Sequence, residues 1–377
     1  MKKYIKNLSL PAFLPDATYG SIKSVTISDL KKCGIQGIVT TTLHIEDYIG
    51  SEYIKSFGGF KNFIGWDGFV LTDSGGWQVF SLINSKKDTK NFVTNSGCSF
   101  FSSRSGKHIF LSPEISIAIQ SNLFSDVLTA LDFPILGDAP LVERKECIKI
   151  NTEWAKRSMN KYKQIYNLLD TSRPLIGCVI QGGNDFELRK ISAESLLELN
   201  FDLYNFGGIP MYYGETWKTE KEYRLFHEML VYVSNLIPKD KIKYAMGVGQ
   251  PKDIAFCTDF GWDLFDTVLP TRNARHGFLY VSPDESLGIH SYNPQNLLKS
   301  YVNQDDLSYS ILRIKNSKYA FSKDPVDKNC DCECCKTTTR SYLRYLLKIN
   351  EPAGYRLATI HNLTFYSKYI NKLKINF

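Results

Sequence analysis

Asp263-Leu-Phe-Asp266-Thr-Val-Leu-Pro270-Thr-Arg272-Asn-Ala-Arg275-His-Gly277 reads as an apolar strand with one acid, Asp266, set inside it. A proline then stops the strand, and a loop carries two arginines three residues apart. An ionised carboxylate in an apolar strand is costly unless something pairs with it or uses it. Arginines just beyond the strand end suit a polyanionic partner. The design recurs in Gly68-Phe-Val-Leu-Thr-Asp73 and in Asp126-Val-Leu-Thr-Ala-Leu-Asp132. One such acid can be a helix cap; three at strand ends point to an enzyme.

Working outward, short β-rich runs alternate with helical patterns. Thr26-Ile-Ser-Asp29 has capping-box form, and its helix ends before Gly34. Strands are expected at 37–42, 68–73, 126–132, 175–181, 203–208, 243–247 and around Asp266, with helices near 143–168, 185–199 and 215–235. Ser112-Pro113 and Pro251 open two more helices. Strands separated by helices mean parallel βαβ units. Seven or more in succession favour a closed (β/α)8 TIM barrel, with an open doubly wound sheet as the competing architecture. No dinucleotide-binding glycine fingerprint or P-loop supports the open sheet. The expected organisation is a barrel core over 1–277, interrupted by a polar, hairpin-like insertion near 81–110. A smaller part follows over 278–377, with helices that complete the barrel. In a barrel, strand carboxyl ends converge on one mouth. Here they carry Asp73-Ser74-Gly75-Gly76, Asp132, Gln181-Gly182-Gly183, Gly207-Gly208, Met246-Gly247 and Asp266.

The chain has 377 residues, is 43% hydrophobic and carries a formal charge of +7, which permits a nucleic-acid partner without requiring one. Neither an export signal nor an apolar run of about 18 residues is evident, so a soluble, cytoplasmic protein with no membrane partner is expected. Of nine cysteines, Cys33, Cys98, Cys147, Cys178 and Cys257 stand singly, as ordinary buried thiols do. The others crowd into Cys330-Asp-Cys332-Glu-Cys334-Cys335. Cys330, Cys332 and Cys335 with His361 fit a closed tetrahedral Zn2+ site, one ion per chain, structural in role. Cys334 is either a substitute ligand or a bystander.

Together these segments resemble the tRNA-guanine transglycosylases, of bacterial type, from Leu10-Pro-Ala-Phe-Leu-Pro15 to His361-Asn-Leu. The most specific stretches are Leu71-Thr-Asp73-Ser-Gly-Gly76, Met246-Gly-Val-Gly249, the Asp266 strand through Gly277, and the cysteine–histidine spacing. The resemblance implies exchange of guanine at the anticodon wobble position for a 7-deazaguanine base, in queuosine modification of tRNA. It implies Asp266 as nucleophile and Asp73 as general acid/base. It gives Asp132, Gln181, Gly207 and Gly208 to the base edge, Trp77 and Met246 to its faces, and Arg272 and Arg275 to RNA. A homodimer formed partly through the zinc region, and tRNAs with a G-U-N anticodon, are implied in the same way.

Three departures lie near the expected pocket. Thr41 stands where the family has asparagine, Phe133-Pro134 follows Asp132, and Ile209-Pro210-Met211 follows the second glycine pair. Phe133 and Met211 are bulkier than the residues they replace. A small pocket is therefore expected, suited to a compact, preQ1-like base. Two other readings stay open: 7-deazaguanine insertion into DNA, and a non-catalytic RNA-binding partner subunit. Loss of the catalytic acids would mark the second, and Asp73 and Asp266 are both present.

Overall fold

The alternation of strand and helix resolves into a barrel. A computed structural model describes residues 4–85, 92–102, 104–135, 139–208, 220–282 and 309–375. Eight parallel strands form one sheet: β1 (Ala12–Pro15), β2 (Gly37–Thr41), β3 (Phe69–Asp73), β4 (Val127–Thr129), β5 (Leu175–Ile180), β6 (Leu203–Phe206), β7 (Ile242–Ala245) and β8 (Leu264–Thr267). Each strand pairs with its neighbours in the chain, and β8 pairs with β1 in the register Asp266 opposite Leu14. The sheet closes where Asp16, just past β1, bridges Val39 of β2, and the Ala17 N–H donates to the Val39 carbonyl at 2.7 Å. The open-sheet alternative is excluded.

Alternation along the strands sorts the side chains. Ala12 and Leu14, Val39, Phe69 and Leu71, Tyr244 and Leu264 fill one interior cluster. Below them, a short antiparallel hairpin (Tyr4–Ile5 with Leu8–Ser9) brings Ile5 and Leu8 into the same cluster. Because strand side chains repeat every two residues, Asp73 and Asp266 share the interior face and lie one layer nearer the mouth. The outer faces pack under the helices in a larger cluster, with Phe13, Ile176, Tyr204, Phe206 and Phe265 among its residues.

Two expectations needed correction. Asp132 does not end a strand: β4 stops at Thr129, three residues earlier. The Gln120 side chain takes over the pairing there, its Oε1 accepting from the Thr129 N–H at 2.7 Å and its Nε2 donating to the Thr129 carbonyl at 2.9 Å. Nor do Arg272 and Arg275 sit on a loop. Leu269–His276 is a helix, with Pro270 in its first turn and Gly277 at φ 85° as its left-handed cap. Proline ends the strand and starts the helix, since its fixed φ suits a first turn.

The capping box at Thr26–Asp29 is present, and Ser112 caps a helix with Pro113 in its first turn. The insertion forms a three-stranded antiparallel sheet (Phe92–Thr94, Gly97–Phe101, His108–Leu111). Its Cys98 and Phe100 pack with Val79, Leu111 and Trp154. At the other end of the chain, the long helix Pro352–Ile375 sends Phe365, Tyr366, Tyr369 and Ile370 into the same cluster as the barrel's outer face.

Candidate active site and metal centre

Short loops after the strands bring the acids together. Asp73 is the last residue of β3, in register with Thr41 on β2, and Thr42 Oγ1 donates to its carbonyl. Gln78, from the helix Gly76–Ser85, faces the Asp73 carboxylate, and its Nε2 lies 3.4 Å from Thr41 Oγ1. Burial, with Asp132 and Asp266 as like-charged neighbours, pushes the Asp73 carboxyl up to about 7. Thr41, the departure from asparagine, therefore stands beside this acid.

Asp132 is held from both sides. Ser74 Oγ donates to Oδ1 at 3.0 Å and Gln181 Nε2 to Oδ2 at 2.8 Å. Those bonds only partly offset burial, which pushes its carboxyl up to about 6. Gly76 is required beside it: a Cβ there would meet the Asp132 carbonyl oxygen at 2.0 Å. Phe133, next to the acid, is half-buried. Its ring packs edge-on against Phe80 at 5.5 Å, and Asn151 binds both its N–H and its carbonyl.

Asp266 accepts from the Gly247 N–H at 2.7 Å, and the fully buried Tyr244 hydroxyl faces the same carboxylate. Burial pushes it up to about 6, against the Gly247 N–H and the nearby Tyr244 hydroxyl. All three acids thus titrate in or near the neutral range, which is where general acid–base work at pH 7 needs them.

Of the other expected residues, Met246 is half-buried beyond β7 and Trp77 is 40% exposed on the first turn after Gly76. Trp77 is thus no core residue; its ring lies 5.4 Å from that of Phe80. Arg272 is exposed and Arg275 half-buried, Nη1 of Arg275 donating to the Thr271 carbonyl at 2.9 Å. Burial and the neighbouring Arg272 lower the Arg275 pKa. Gln181 is fully buried, and Gly207 and Gly208 follow β6 beside it. Met211 lies outside the described residues. The sequence reading gave no role to Gln78 or Tyr244 and named Ser74 only within the run that follows Asp73. Of the two, only Gln78 left a signal, lying five residues after Asp73.

The cysteine cluster forms a second site. Ligand atoms of Cys330, Cys332, Cys335 and His361 lie within 4.8 Å of one another. Cys332 caps the short helix Glu333–Thr337 that carries Cys335, and His361 comes from the long last helix. His361 Nδ1 is 3.2 Å from Cys335 Sγ and 3.7 Å from Cys332 Sγ. A tetrahedral ion with bonds of about 2.0–2.3 Å sets such ligand atoms roughly 3.5–3.8 Å apart. The other ring nitrogen, Nε2, lies 2.7 Å from the Tyr280 carbonyl, an acceptor that fixes the proton there and leaves Nδ1 free for a metal. The donor set and its spacing fit a metal ion. Cys334 is outside the group: it is buried in the apolar cluster with its thiol pushed well above the usual range.

Comparison with known families matches residues 3–376, nearly the whole chain, to queuine tRNA-ribosyltransferase. The chain belongs to that family. Relatives named queuine tRNA-ribosyltransferase include one from Actinobacillus pleuropneumoniae serotype 3 (strain JL03), 38% identical over 364 residues, covering 97% of this chain and 84% of the relative. Another, from Francisella tularensis subsp. novicida (strain U112), is 37% identical and covers 98% and 88%. A third, from Blochmanniella floridana, is 36% identical and covers 97% and 86%. Queuine tRNA-ribosyltransferases are glycosyltransferases of the pentosyl class, the enzyme type that the sequence resemblance implied. Among the described residues, no helix is long and apolar enough to cross a membrane.

Proposed function

We propose that this enzyme exchanges guanine at the wobble position of G-U-N tRNAs for a preQ1-like 7-deazaguanine base through a covalent Asp266–ribosyl intermediate. The observation that carries the reading is the pair Asp73 and Asp266: two interior carboxylates raised to about 7 and about 6 at one barrel mouth. In the first displacement an Asp266 oxygen attacks C1′ of the target nucleotide. The C1′–N9 bond breaks, its electron pair goes to guanine, and protonated Asp73 supplies the proton. In the second, the incoming base gives its N9 proton to the Asp73 carboxylate. N9 then attacks C1′ and Asp266 leaves as carboxylate. An acid near 7 serves both proton transfers, and a covalent intermediate divides one hard exchange into two displacements.

Asp132 accepts from the N–H edge of the bound purine, next to Gln181, Gly207 and Gly208, with Trp77 and Met246 against its faces. To reach them the target nucleotide must leave its stack. Arg272 and Arg275 hold flanking nucleotides. In the knuckle, Zn2+ bound by Cys330, Cys332, Cys335 and His361 supplies structure only, since four protein ligands close its coordination. A homodimer through this region suits Tyr342 and Tyr345, two exposed rings 6.5 Å apart on one helix face. The nine unbridged cysteines suit a cytoplasmic setting.

The test is labelled-guanine exchange into G-U-N tRNAs, with duplex DNA in parallel and Asp266→Ala as control. The expected result is label in tRNA that vanishes in the variant. Label in DNA alone would move the enzyme to DNA modification, and silence with both would support a partner-subunit role. Queuine taken in preference to smaller bases would overturn the preQ1-like assignment.

A further inference from the structure

Arg189, on the helix Phe186–Leu197 after β5, is a fully buried cation that, among the described residues, has no carboxylate partner. Carbonyl oxygens surround it instead. Its Nε donates to Gly183 at 3.1 Å, Nη1 to Ile180 and to Gly207 at 2.8 Å, and Nη2 to Gly208 at 3.0 Å. The guanidinium also lies over the Phe206 ring, 4.4 Å from its centroid. One side chain thus gathers the carbonyls of two neighbouring strand-end loops, after β5 and after β6.

A trans peptide directs its N–H opposite to its carbonyl. With the Gly207 carbonyl drawn to Arg189, the N–H of Gly208 points to the other side. Gly208 takes φ 58°, and a Cβ on it would lie 2.4 Å from Gln181 Oε1. That oxygen is buried and, among the described residues, unpartnered, while Nε2 of the same side chain holds Asp132. The Gly208 N–H is the donor that the carbonyl of a guanine-like base needs, and the Asp132 carboxylate held by Gln181 is an acceptor for its N–H edge.

Resting on the function proposed above, we infer that Arg189 is a positioning residue for base recognition. It draws four carbonyl oxygens into the wall and thereby presents a polarised Gly208 N–H to the C6 oxygen of the purine. A donor polarised through its own peptide group makes the stronger hydrogen bond.

The experiment compares the full-length enzyme with Arg189→Met and Arg189→Lys, using guanine and 2-aminopurine, which lacks the C6 oxygen. In Arg189→Met the KM for guanine should rise about tenfold, the loss of one good hydrogen bond. The KM for tRNA and the inhibition constant of 2-aminopurine should hold, and Arg189→Lys should fall between. An unchanged guanine KM, or equal weakening of both bases, overturns the inference. Should both variants fail to fold, the guanidinium N–H resonances of the 15N-arginine-labelled wild type decide. They should move with guanine and not with 2-aminopurine, and the absence of a guanine-specific shift overturns the inference. A wild type that exchanges no guanine overturns the proposed function and this inference with it. An active wild type with unaffected variants overturns only the role of Arg189.

Discussion

The barrel mouth and the cysteine knuckle both bury polar side chains, and they treat charge in opposite ways. At the mouth, Asp73, Asp132 and Asp266 are all pushed up towards neutrality, and the first is raised further by the other two. Beside the knuckle, Asp29 is more fully covered than the half-buried acids of the mouth, at 3% exposed. Burial pushes its carboxyl up too, but the Arg356 guanidinium and the Thr26 cap more than offset this and hold it below the usual range. Arg356 joins three elements at once, donating to Asp29 from Nε at 3.1 Å and to Glu333 at 2.6 and 2.9 Å. Charge is matched where it holds the fold together and left unmatched at the mouth, where the proposed chemistry would use it.

The largest expected effect separates the two regions outright. Asp266→Asn keeps the shape of the mouth and removes the proposed nucleophile, so guanine exchange should fall by about a thousandfold or more. Its melting temperature should not drop, because a strained charge has gone. Exchange rate and thermal unfolding on the same preparation check this, and a collapsed fold would break the contrast. Cys335→Ser should do the reverse, lowering metal content measured by mass spectrometry and costing about 3 kcal/mol or more in stability. A stable, metal-free variant would show that the knuckle is not a structural metal centre. Arg356→Met leaves Asp29 buried without its partner and should cost about 3 kcal/mol in chemical denaturation. Its kcat should stay near wild type.

How much of this was legible follows the same line. Periodicity and local caps exposed the barrel, because strand alternation, the Thr26–Asp29 box and Ser112-Pro113 are written in neighbouring residues. The acids were legible because a charge interrupts an apolar run. Asp132 was misplaced relative to its strand because Gln120, from another element, replaces the strand's hydrogen bonds. Tyr244 and Arg189 were illegible for a related reason. Tyr244 looks like any aromatic in a buried strand, and Arg189 like any charge on a helix. Only the folded chain brings the one to Asp266 and the other to the carbonyls of two loops.

The smallest effect sharpens the comparison most, because its sign distinguishes the regions. The folded pKa of Asp73 is about 7, above its ordinary value of 3.8. Between those values the folded protein binds more protons than the unfolded chain, so stability must fall as the pH rises. The contribution is fully present below about pH 4 and is lost as the pH passes through about 7. Asn at this position cannot ionise, so the Asp73→Asn variant should gain on wild type over that window. A shift of this size corresponds to at most about 4 kcal/mol; relaxation of the site and water entry as Asp73 ionises leave about 2 kcal/mol as the expected gain. Denaturation of both proteins at pH 5 and pH 8 tests it. At Asp29 the slope reverses, since a lowered carboxylate contributes stability that is lost as the pH falls through its folded value. Parallel pH profiles for Asp73→Asn and wild type would mean that the mouth does not strain Asp73 at all, and the matched and unmatched acids would then differ only in their partners.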